Sequence, residues 1–408
     1  MKKHYFLKYF LCIVIFLPLF FASCPSPSFS HSVDVTDEPN IDSIAGEPKA
    51  QELWGTLTEN IPNNIGNAFT ADPKTTRTIT WMSTHNEGEV IIDNNHYPST
   101  STLNEGFYFH RVDITGLEAG ETYRYIAGSA DNYSPVYSFA TENENSSDGF
   151  SVLHITDPQI GSSSYKYQID AEAWKRTIES AIEKCPNAAF VVNTGDVAEN
   201  KMSAAVHYYF DYAQTIIANY AFVYSMGNND SVSWYNQYFY TQDNIYEGVL
   251  YSFDYGNAHF VNIDSNAELT TAQLDWLEND LKNTDKKWKA AMMHEGGYGR
   301  KGSKSALTEL FDKYNIDLAM IGHNHFYARS KPIDASGEDK KNGTVWIMPN
   351  AAGNKFNSKP DKLYLAVSEQ PELPMFTQVK FTETNIFLNS YTVDTTGEAA
   401  LFDTYALR

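Results

Sequence analysis

Cysteine is scarce in this sequence, with three residues among 408. Cys12 lies within an N-terminal segment that has the features of a removable leader, and Cys24 lies at its end. Cys185 is therefore left without a partner in the rest of the chain. A fold that depends on an internal disulfide framework is excluded.

Positive charge is also in short supply. The chain has 30 Lys and Arg against 51 Asp and Glu, a formal net charge of -21. Three of the lysines lie in the leader, so the mature chain has 27 basic against 51 acidic residues, or -24. Such a surface repels nucleic-acid backbones and anionic membranes, so we expect no binding to a nucleic-acid backbone. An anionic substrate would need a local positive centre, for which a metal cluster is the obvious candidate.

The first 24 residues resemble the signal peptide of a bacterial lipoprotein. Three lysines precede the apolar run at 9–22, which is long for a signal peptide and short for a membrane span. The segment Leu19–Cys24 resembles a lipobox, in which Cys24 would be lipidated and become the new N-terminus. Phe21 departs from the small or branched residue usual at its position, which leaves ordinary cleavage or a retained anchor as alternatives.

Residues 25–50 are rich in Pro, Ser, Asp and Glu and have no periodicity, which predicts a flexible tether. Together with a lipidated Cys24, the tether predicts an exported protein anchored to a membrane of the cell envelope. Periplasmic and surface locations are both compatible with the sequence.

Residues 51–143 have the pattern of an all-β domain. Short alternating runs separated by Gly, Asn and Asp predict strands at 78–81, 90–92, 107–114, 122–127 and 136–140. About ninety residues of such strands fit one immunoglobulin-like sandwich. A structural module is the simpler interpretation, and a carbohydrate or protein ligand is the alternative.

Residues 149–408 alternate between strand and helix patterns. Amphipathic periodicity predicts helices at 170–184, 203–220, 270–281 and 304–314, with short apolar strands between them. The last part of the chain, from 343 onward, is mostly strand. This order predicts a mixed α/β layer architecture with a β-rich end.

Five predicted strands of this second domain each end at residues able to bind a metal ion. Asp157 and Gln159 follow the first strand, Asp196 the second, Asn228, Asn229 and Asp230 the third, His294 the fourth, and His323 and His325 the fifth. Ligand sites of open α/β sheets lie at the carboxyl ends of strands, so these loops are expected to converge. The mixed oxygen and nitrogen donors suit two divalent ions with one bridging carboxylate. Each turn alone is common, but the ordered set of five points to a metal centre.

This order of motifs resembles the calcineurin-like metallophosphoesterase superfamily. The likeness is carried by Gly195-Asp196, by Gly227-Asn228 and by Gly322-His323-Asn324-His325. Residues 248–256 and the N-terminal strands are similar to the bacterial branch related to purple acid phosphatases. Residues 114–123 resemble the tyrosine corner of fibronectin type III domains, in which a tyrosine hydroxyl bonds back to the preceding turn.

The resemblance implies two domains. The first would be an N-terminal all-β immunoglobulin or fibronectin III-like sandwich at 51–143, in which Tyr123 is the corner tyrosine. The second, at 149–408, would be an α/β metallophosphoesterase domain made of two face-to-face β-sheets flanked by helices.

The resemblance also implies roles for the strand-end residues. Asp157 and His325 would hold the first metal ion, with Gln159 at a further ligand position; Asn228, His294 and His323 would hold the second; and Asp196 would bridge the two. A water shared by the two cations would lose a proton near neutral pH and attack phosphorus in line. The expected cofactors are two divalent or mixed-valence ions, for which Fe, Mn and Zn all fit.

Three residues depart from the family pattern. Gln159 stands where many members have a histidine ligand, and Glu199 stands where the purple enzymes place an iron-binding tyrosine, which argues against a purple ferric site. Asn229 replaces a histidine that is thought to protonate the leaving oxygen or steady the transition state. Asp230, which would orient that histidine, loses its expected partner. Asn229 and Asp230 are still the candidate catalytic residues at this position.

Two functions are therefore expected as alternatives. The first is a dinuclear metal-dependent phosphoester hydrolase, a phosphatase or phosphodiesterase of small substrates, with activity reduced by Asn229. The second is a weak or inactive protein of the same fold that acts as a binding lipoprotein at the cell envelope. Among the other histidines, His154 and His259 lie within predicted strands and are expected to serve core packing, and His207 is expected to lie on a helix face.

Overall fold

A computed structural model describes residues 62–407, except for 105, 130–131, 165, 242–249, 298–304 and 361. The predicted leader, the lipidation site Cys24, the tether and residues 51–61 of the first domain lie outside the described residues. Within the described part of the chain, no helix is both long enough and apolar enough to cross a membrane.

The N-terminal domain consists of two β-sheets that face each other. Its strands are β1 (Asn63–Ala68), β2 (Thr76–Ser83), β3 (Glu89–Ile92), β4 (Asn95–Pro98), β5 (Thr100–Asn104), β6 (Phe107–Thr115), β7 (Thr122–Ser129), β8 (Asn132–Tyr133) and β9 (Tyr137–Ala140). One sheet has the order β1-β2-β6-β5 and the other β4-β3-β7-β8, with β9 paired to β7. Alternation explains the packing: Val112 and Ile114 of β6 point into the core, while Asp113 between them is exposed.

The predicted role of Tyr123 is confirmed. Its hydroxyl oxygen accepts a hydrogen bond of 2.8 Å from the backbone N–H of Glu118, in the turn that precedes β7. The bond ties the turn to the strand, and the ring packs against Phe139 with 5.6 Å between centroids.

We expect Tyr123→Phe to lower the free energy of unfolding by about 1 kcal/mol, because the ring contact is kept and one hydrogen bond is lost. Urea unfolding followed by fluorescence would measure the change. Tyr97→Phe is the matched control, since Tyr97 packs on the same core and its hydroxyl makes no hydrogen bond among the described residues. Equal losses in the two variants would contradict a role for the corner bond.

The second domain begins at Gly149 and alternates helices with strands. Its elements are β10 (Gly149–Ile155), α1 (Tyr167–Lys184), β11 (Val191–Asn193), α2 (Ser203–Asn219), β12 (Phe222–Tyr224), α3 (Val232–Gln237), β13 (Leu250–Tyr255), β14 (Ala258–Ile263), α4 (Thr271–Asn283), β15 (Trp288–Met293), α5 (Ser305–Tyr314), β16 (Leu318–Met320), β17 (Tyr327–Ser330), β18 (Val345–Met348), β19 (Leu365–Glu369), β20 (Met375–Thr382), β21 (Ile386–Val393) and β22 (Ala399–Leu407). Short 3₁₀ turns occur at Ser146–Asp148 and Glu199–Lys201.

These strands form two sheets with helices outside, as expected. One has the order β12-β11-β10-β20-β21-β22 and the other β13-β14-β15-β16-β18-β17-β19. Their facing sides share an apolar core that includes Val152, Phe190, Phe260 and Met292. Helices α1 and α2 cover the first sheet, where Trp174 stacks on Tyr209, and α4 and α5 cover the second. Because β10, β11 and β12 are parallel, as are β14, β15 and β16, the strand ends that were expected to carry ligands lie at one edge of each sheet.

Three further histidines are buried: His154 and His259, which were expected to pack in the core, and His207, which was expected to lie on a helix face. His154 lies within β10 with Nε2 at 3.1 Å from Thr194 Oγ1, and His207 on α2 contacts Asn64 of the N-terminal domain at 2.7 Å. Burial lowers the pKa of both imidazoles to about 3, so both stay neutral.

His259 is buried between two carboxylates. Its Nδ1 lies 2.7 Å from Asp254 Oδ1 and its Nε2 lies 2.8 Å from Asp280 Oδ2. Burial opposes the charged form, but the two carboxylates outweigh it and raise the pKa of His259 to about 9. The imidazolium therefore joins β14 to α4 and to the preceding strand at neutral pH.

The ion pairs of His259 predict a pH-dependent stability. The folded pKa of about 9 exceeds the unfolded value of about 6.5, so the contribution of about 2–3 kcal/mol is complete below pH 6.5 and is lost as the pH rises through 9. Urea unfolding of the wild type and of His259→Gln at pH 6, 7.5 and 9 measures it. The difference between the two proteins should shrink with rising pH, and a constant difference would contradict the charged pair.

Candidate metal centre

Five loops at the strand ends bring the predicted ligands together. Backbone bonds join the loops, since Asp157 N–H donates to Gly195 O at 3.0 Å and Gly322 N–H donates to His294 O at 2.8 Å. A Cβ atom at Gly322 would overlap Thr156 Oγ1, so only glycine allows this close approach. The sequence pattern of an apolar strand followed by glycine thus has a steric cause at this site.

Five of the predicted ligands have left-handed backbones. The φ angles are 51° at Asp157, 39° at Gln159, 52° at Asp196, 81° at His323 and 53° at His325. Non-glycine residues seldom adopt this conformation, and it is found where the surrounding structure fixes a side chain for a function.

Asp157 and His325 form the first group of donors. Asp157 Oδ2 accepts hydrogen bonds from Thr156 Oγ1 at 2.6 Å and from the His323 N–H at 2.8 Å. Asp157 Oδ1 is buried, has no hydrogen-bond partner, and lies 3.2 Å from His325 Nε2. His325 Nδ1 donates to the carbonyl of Lys355 at 2.8 Å, which directs Nε2 towards Asp157, and Asp157 outweighs burial and raises the pKa of His325.

Asn228, His294 and His323 form the second group. Asn228 Oδ1 lies 2.7 Å from His323 Nδ1 and 3.2 Å from His294 Nε2, and the two ring nitrogens are 3.3 Å apart. His294 Nδ1 donates to the carbonyl of Thr194 at 2.7 Å, which fixes the tautomer whose Nε2 faces this group. Three acceptor atoms thus approach a common point.

Asp196 lies between the two groups. Its carboxylate is within 4.8 Å of the donor atoms of His294 and His323, and also of those of Asp157 and His325. Asn229 fixes it from one side, with the backbone N–H donating to Oδ1 at 2.8 Å and the side-chain amide donating to Oδ2 at 2.7 Å. Asp196 thus belongs to both groups of possible ligands, and Asn229 holds both of its oxygens.

The site is electrostatically suited to cations. Burial opposes ionisation of both aspartates, but His325 lowers the pKa of Asp157 and His294 lowers that of Asp196, so both carry a negative charge. Asp196 also outweighs burial and raises the pKa of His294 to about 10, so a cation that binds Nε2 would displace a proton from it. Buried anionic oxygens and inward-facing histidine nitrogens, one of the oxygens an unpaired acceptor, fit a pair of divalent ions.

Gln159 and Glu199 take different positions around this centre. Gln159 Nε2 lies 3.4 Å from Asp196 Oδ2, and its amide oxygen is buried without a hydrogen-bond partner, so the side chain is present at the centre. Glu199 forms an ion pair of 3.1 Å with Lys355 and does not join either donor group.

Asp230 has more partners than the sequence analysis expected. It loses a histidine neighbour but accepts hydrogen bonds from the N–H groups of Asp196 at 2.9 Å, Val197 at 2.9 Å and Gly227 at 2.8 Å, and from the hydroxyl of Tyr235 at 2.9 Å. These bonds hold the loop that carries Asp196 against the loop that carries Asn228, so Asp230 positions both loops, and its catalytic role stays a prediction.

We expect Asp230→Asn to lower the free energy of unfolding by about 2–3 kcal/mol, because an amide NH₂ would face backbone donors that now meet a carboxylate. Activity should fall equally on good and poor leaving groups. Thermal unfolding and two-substrate kinetics measure both effects, with the exposed Asp275→Asn on α4 as control. Unchanged stability with a selective loss on poor leaving groups would instead assign Asp230 to proton transfer.

The supporting contacts were not foreseen from the sequence. Thr156 binds the ligand Asp157, and the carbonyls of Thr194 and Lys355 orient His294 and His325. The hydroxyl of Thr156 stands beside a predicted ligand and could have been noticed, but backbone carbonyls have no sequence signal.

The fold and the site define a two-domain protein, in which a β-domain precedes a two-sheet α/β domain with donors for two cations at its strand ends. Two family models match the same two parts of the chain. The model "Purple acid Phosphatase, N-terminal domain" matches residues 62–141, and the model "Calcineurin-like phosphoesterase" matches residues 150–327. The chain therefore carries a calcineurin-like phosphoesterase domain behind a purple acid phosphatase N-terminal domain.

Individual proteins are similar to this chain over part of their length. Acid phosphatase type 7 of Mus musculus is 25% identical over 267 residues, which cover 57% of this chain and 59% of that protein. Purple acid phosphatase 21 of Arabidopsis thaliana is 32% identical over 123 residues, which cover 27% of this chain and 28% of that protein. The chain thus spans less than two thirds of the length of these relatives.

A solved structure extends the likeness of the fold over both domains. Purple acid phosphatase PPD1 from yellow lupin (Lupinus luteus) seeds aligns with a TM-score of 0.70 and 16% identity, over 85% of this chain and 74% of that one. At 16% identity, this match supports a similarity of fold and nothing further.

Proposed function

We propose that this chain hydrolyses small phosphoesters with two metal ions held at the centre described above. The observation that carries the proposal is the placement of Asp196, whose carboxylate belongs to both donor groups. When bound, such ions supply Lewis-acid polarisation of the phosphoryl group and a water acidic enough to act as nucleophile near pH 7. The donors, buried carboxylates with imidazoles, suit Fe, Mn or Zn.

The protein groups would act through position and charge. Asp157 with His325, and Asn228 with His294 and His323, would hold the cations, while Asp196 would keep them at a fixed separation. The Asn229 amide binds Asp196, so it stiffens the bridge, and it has no proton to transfer to a leaving group. The proposed substrates are therefore monoesters or diesters whose alcohol leaves readily as an anion.

Turnover of p-nitrophenyl phosphate against phenyl phosphate, with added Mn²⁺, Zn²⁺ or Fe²⁺, tests this function. The proposal expects hydrolysis of the nitrophenyl ester and a steep loss on the phenyl ester. Absence of turnover on both esters with every metal would overturn it in favour of a binding protein of the same fold. Metal analysis of the purified protein identifies the native ions.

We also propose that the protein is exported and anchored in the cell envelope through a lipid on Cys24. The support is the sequence alone: a basic and apolar leader, a lipobox-like segment and a polar tether. Metabolic labelling with a clickable fatty acid, compared between the wild type and Cys24→Ser, tests the anchor. Labelling that survives the substitution would overturn it.

A further inference from the structure

A cavity opens beside the candidate metal centre. It has a volume of about 310 Å³, near the lower end of the range of about 300–1,000 Å³ found for small-molecule pockets. His323 lines it and also belongs to the second donor group. A molecule in this cavity would therefore lie next to a phosphoryl group bound at the centre.

Most of the wall of this cavity is apolar. Ile321, Phe326, Met348 and Leu365 pack together, and Trp346 adds an aromatic face. Phe326, Met348 and Trp346 are buried. Trp346 and Met348 belong to β18 and Leu365 to β19, so strands of the second sheet form part of the wall.

Charge is sparse among the described residues that line the cavity. The carboxylate of Glu295 is on the wall together with His323 and the exposed Lys362, and Asn324 and Tyr364 add polar groups. Burial of a second anionic group, such as a further phosphate, against Glu295 would be unfavourable. More of the exposed lining is apolar than polar, which favours a ring over a sugar with many hydroxyls. The occupant that fits is uncharged and mainly apolar.

We propose that the cavity receives the alcohol part of the substrate, and that this part is a compact hydrophobic group such as an aromatic ring. This inference rests on the proposed phosphoester hydrolysis and names its substrate class. The phosphoryl group would lie between the cations while the ring lies against Phe326, Trp346 and Leu365. An aromatic alcohol also leaves more readily than an aliphatic one, which agrees with a centre that lacks the histidine at position 229.

Binding of two non-hydrolysable phosphonates to the metal-loaded protein tests the cavity without turnover. Calorimetry should give 1-naphthylmethylphosphonate a Kd at least about 10-fold below that of methylphosphonate, because the ring leaves water for an apolar wall. Leu365→Gln should cut this preference to about 3-fold or less. Leu363→Gln is the matched control, because Leu363 is 96% exposed, lies two residues away and does not line the cavity.

The outcomes separate the two proposals. Equal affinity of the two phosphonates for the wild type, or an equal loss of preference in both variants, overturns the cavity assignment. Hydrolysis of p-nitrophenyl phosphate without a naphthyl preference overturns the cavity assignment and leaves the hydrolase standing. A naphthyl preference without hydrolysis of any ester supports the apolar site and overturns the hydrolase.

Discussion

Asp196→Asn is expected to lower kcat/KM for p-nitrophenyl phosphate by about three powers of ten, which corresponds to about 4 kcal/mol of transition-state stabilisation. The substitution removes the charge shared by the two donor groups. It also places an NH₂ group where Asn229 and Gln159 direct their own amides, so at least one donor would face another donor. The lost negative charge and the disturbed hydrogen bonds are both expected to lower the activity.

Metal content gives a second readout for this variant. We expect the purified Asp196→Asn protein to retain less metal than the wild type at equal free-metal concentration, measured by mass spectrometry after dialysis. The control is Asp275→Asn, an equal change of charge on the exposed face of α4. Wild-type metal content and activity in Asp196→Asn would contradict the dinuclear centre.

The architecture could be predicted from the sequence because the periodicity of apolar residues matches the residues that are buried over most of the chain. The helix predicted at 203–220 is Ser203–Asn219, and the helix predicted at 270–281 is α4, Thr271–Asn283. Parallel strands place their carboxyl ends at one edge, so ligands scattered from Asp157 to His325 could be expected to meet.

The elements that were missed lack such a signal. Helix α3, Val232–Gln237, is shorter than two turns, so a 3.6-residue period has no room to repeat. Strand β17 places Arg329 inside the protein, where Asp403 of β22 binds its Nε at 2.7 Å; the partner is 74 residues away and cannot be foreseen locally. Strand β19 is a half-exposed edge, for which the apolar alternation is weak.

The sequence predicted which residues form the site, but it did not predict which groups they contact. The sequence named the donors, but it could not show that the carbonyl of Lys355 orients His325 or that the N–H groups of three residues converge on Asp230. Backbone groups are the same at every position, so only the fold decides which of them meets a ligand. The same limit explains why the contacts through which Asp230 holds two loops together were not predicted.

Asn229→His is expected to raise kcat/KM for phenyl phosphate by about 10–100-fold and to leave p-nitrophenyl phosphate within about 3-fold of the wild-type rate. A histidine can give a proton to the departing oxygen, which matters most when the alcohol is a poor leaving group. The full benefit of general acid catalysis, about 10²–10⁴-fold, is not expected, because the substitution removes the 2.7 Å bond from the Asn229 amide to Asp196.

The rate ratio between the two esters is the informative quantity, since a change in folding or metal content alters both rates alike. Asn229→Ala serves as the control: it also loses the bond to Asp196 but gains no acid, so it should be slower on both esters without a change in their ratio. A raised ratio in the histidine variant alone assigns position 229 to leaving-group protonation. An unchanged ratio would mean that Asn229 belongs to the support of Asp196, since restoring an acid would then bring nothing to the reaction.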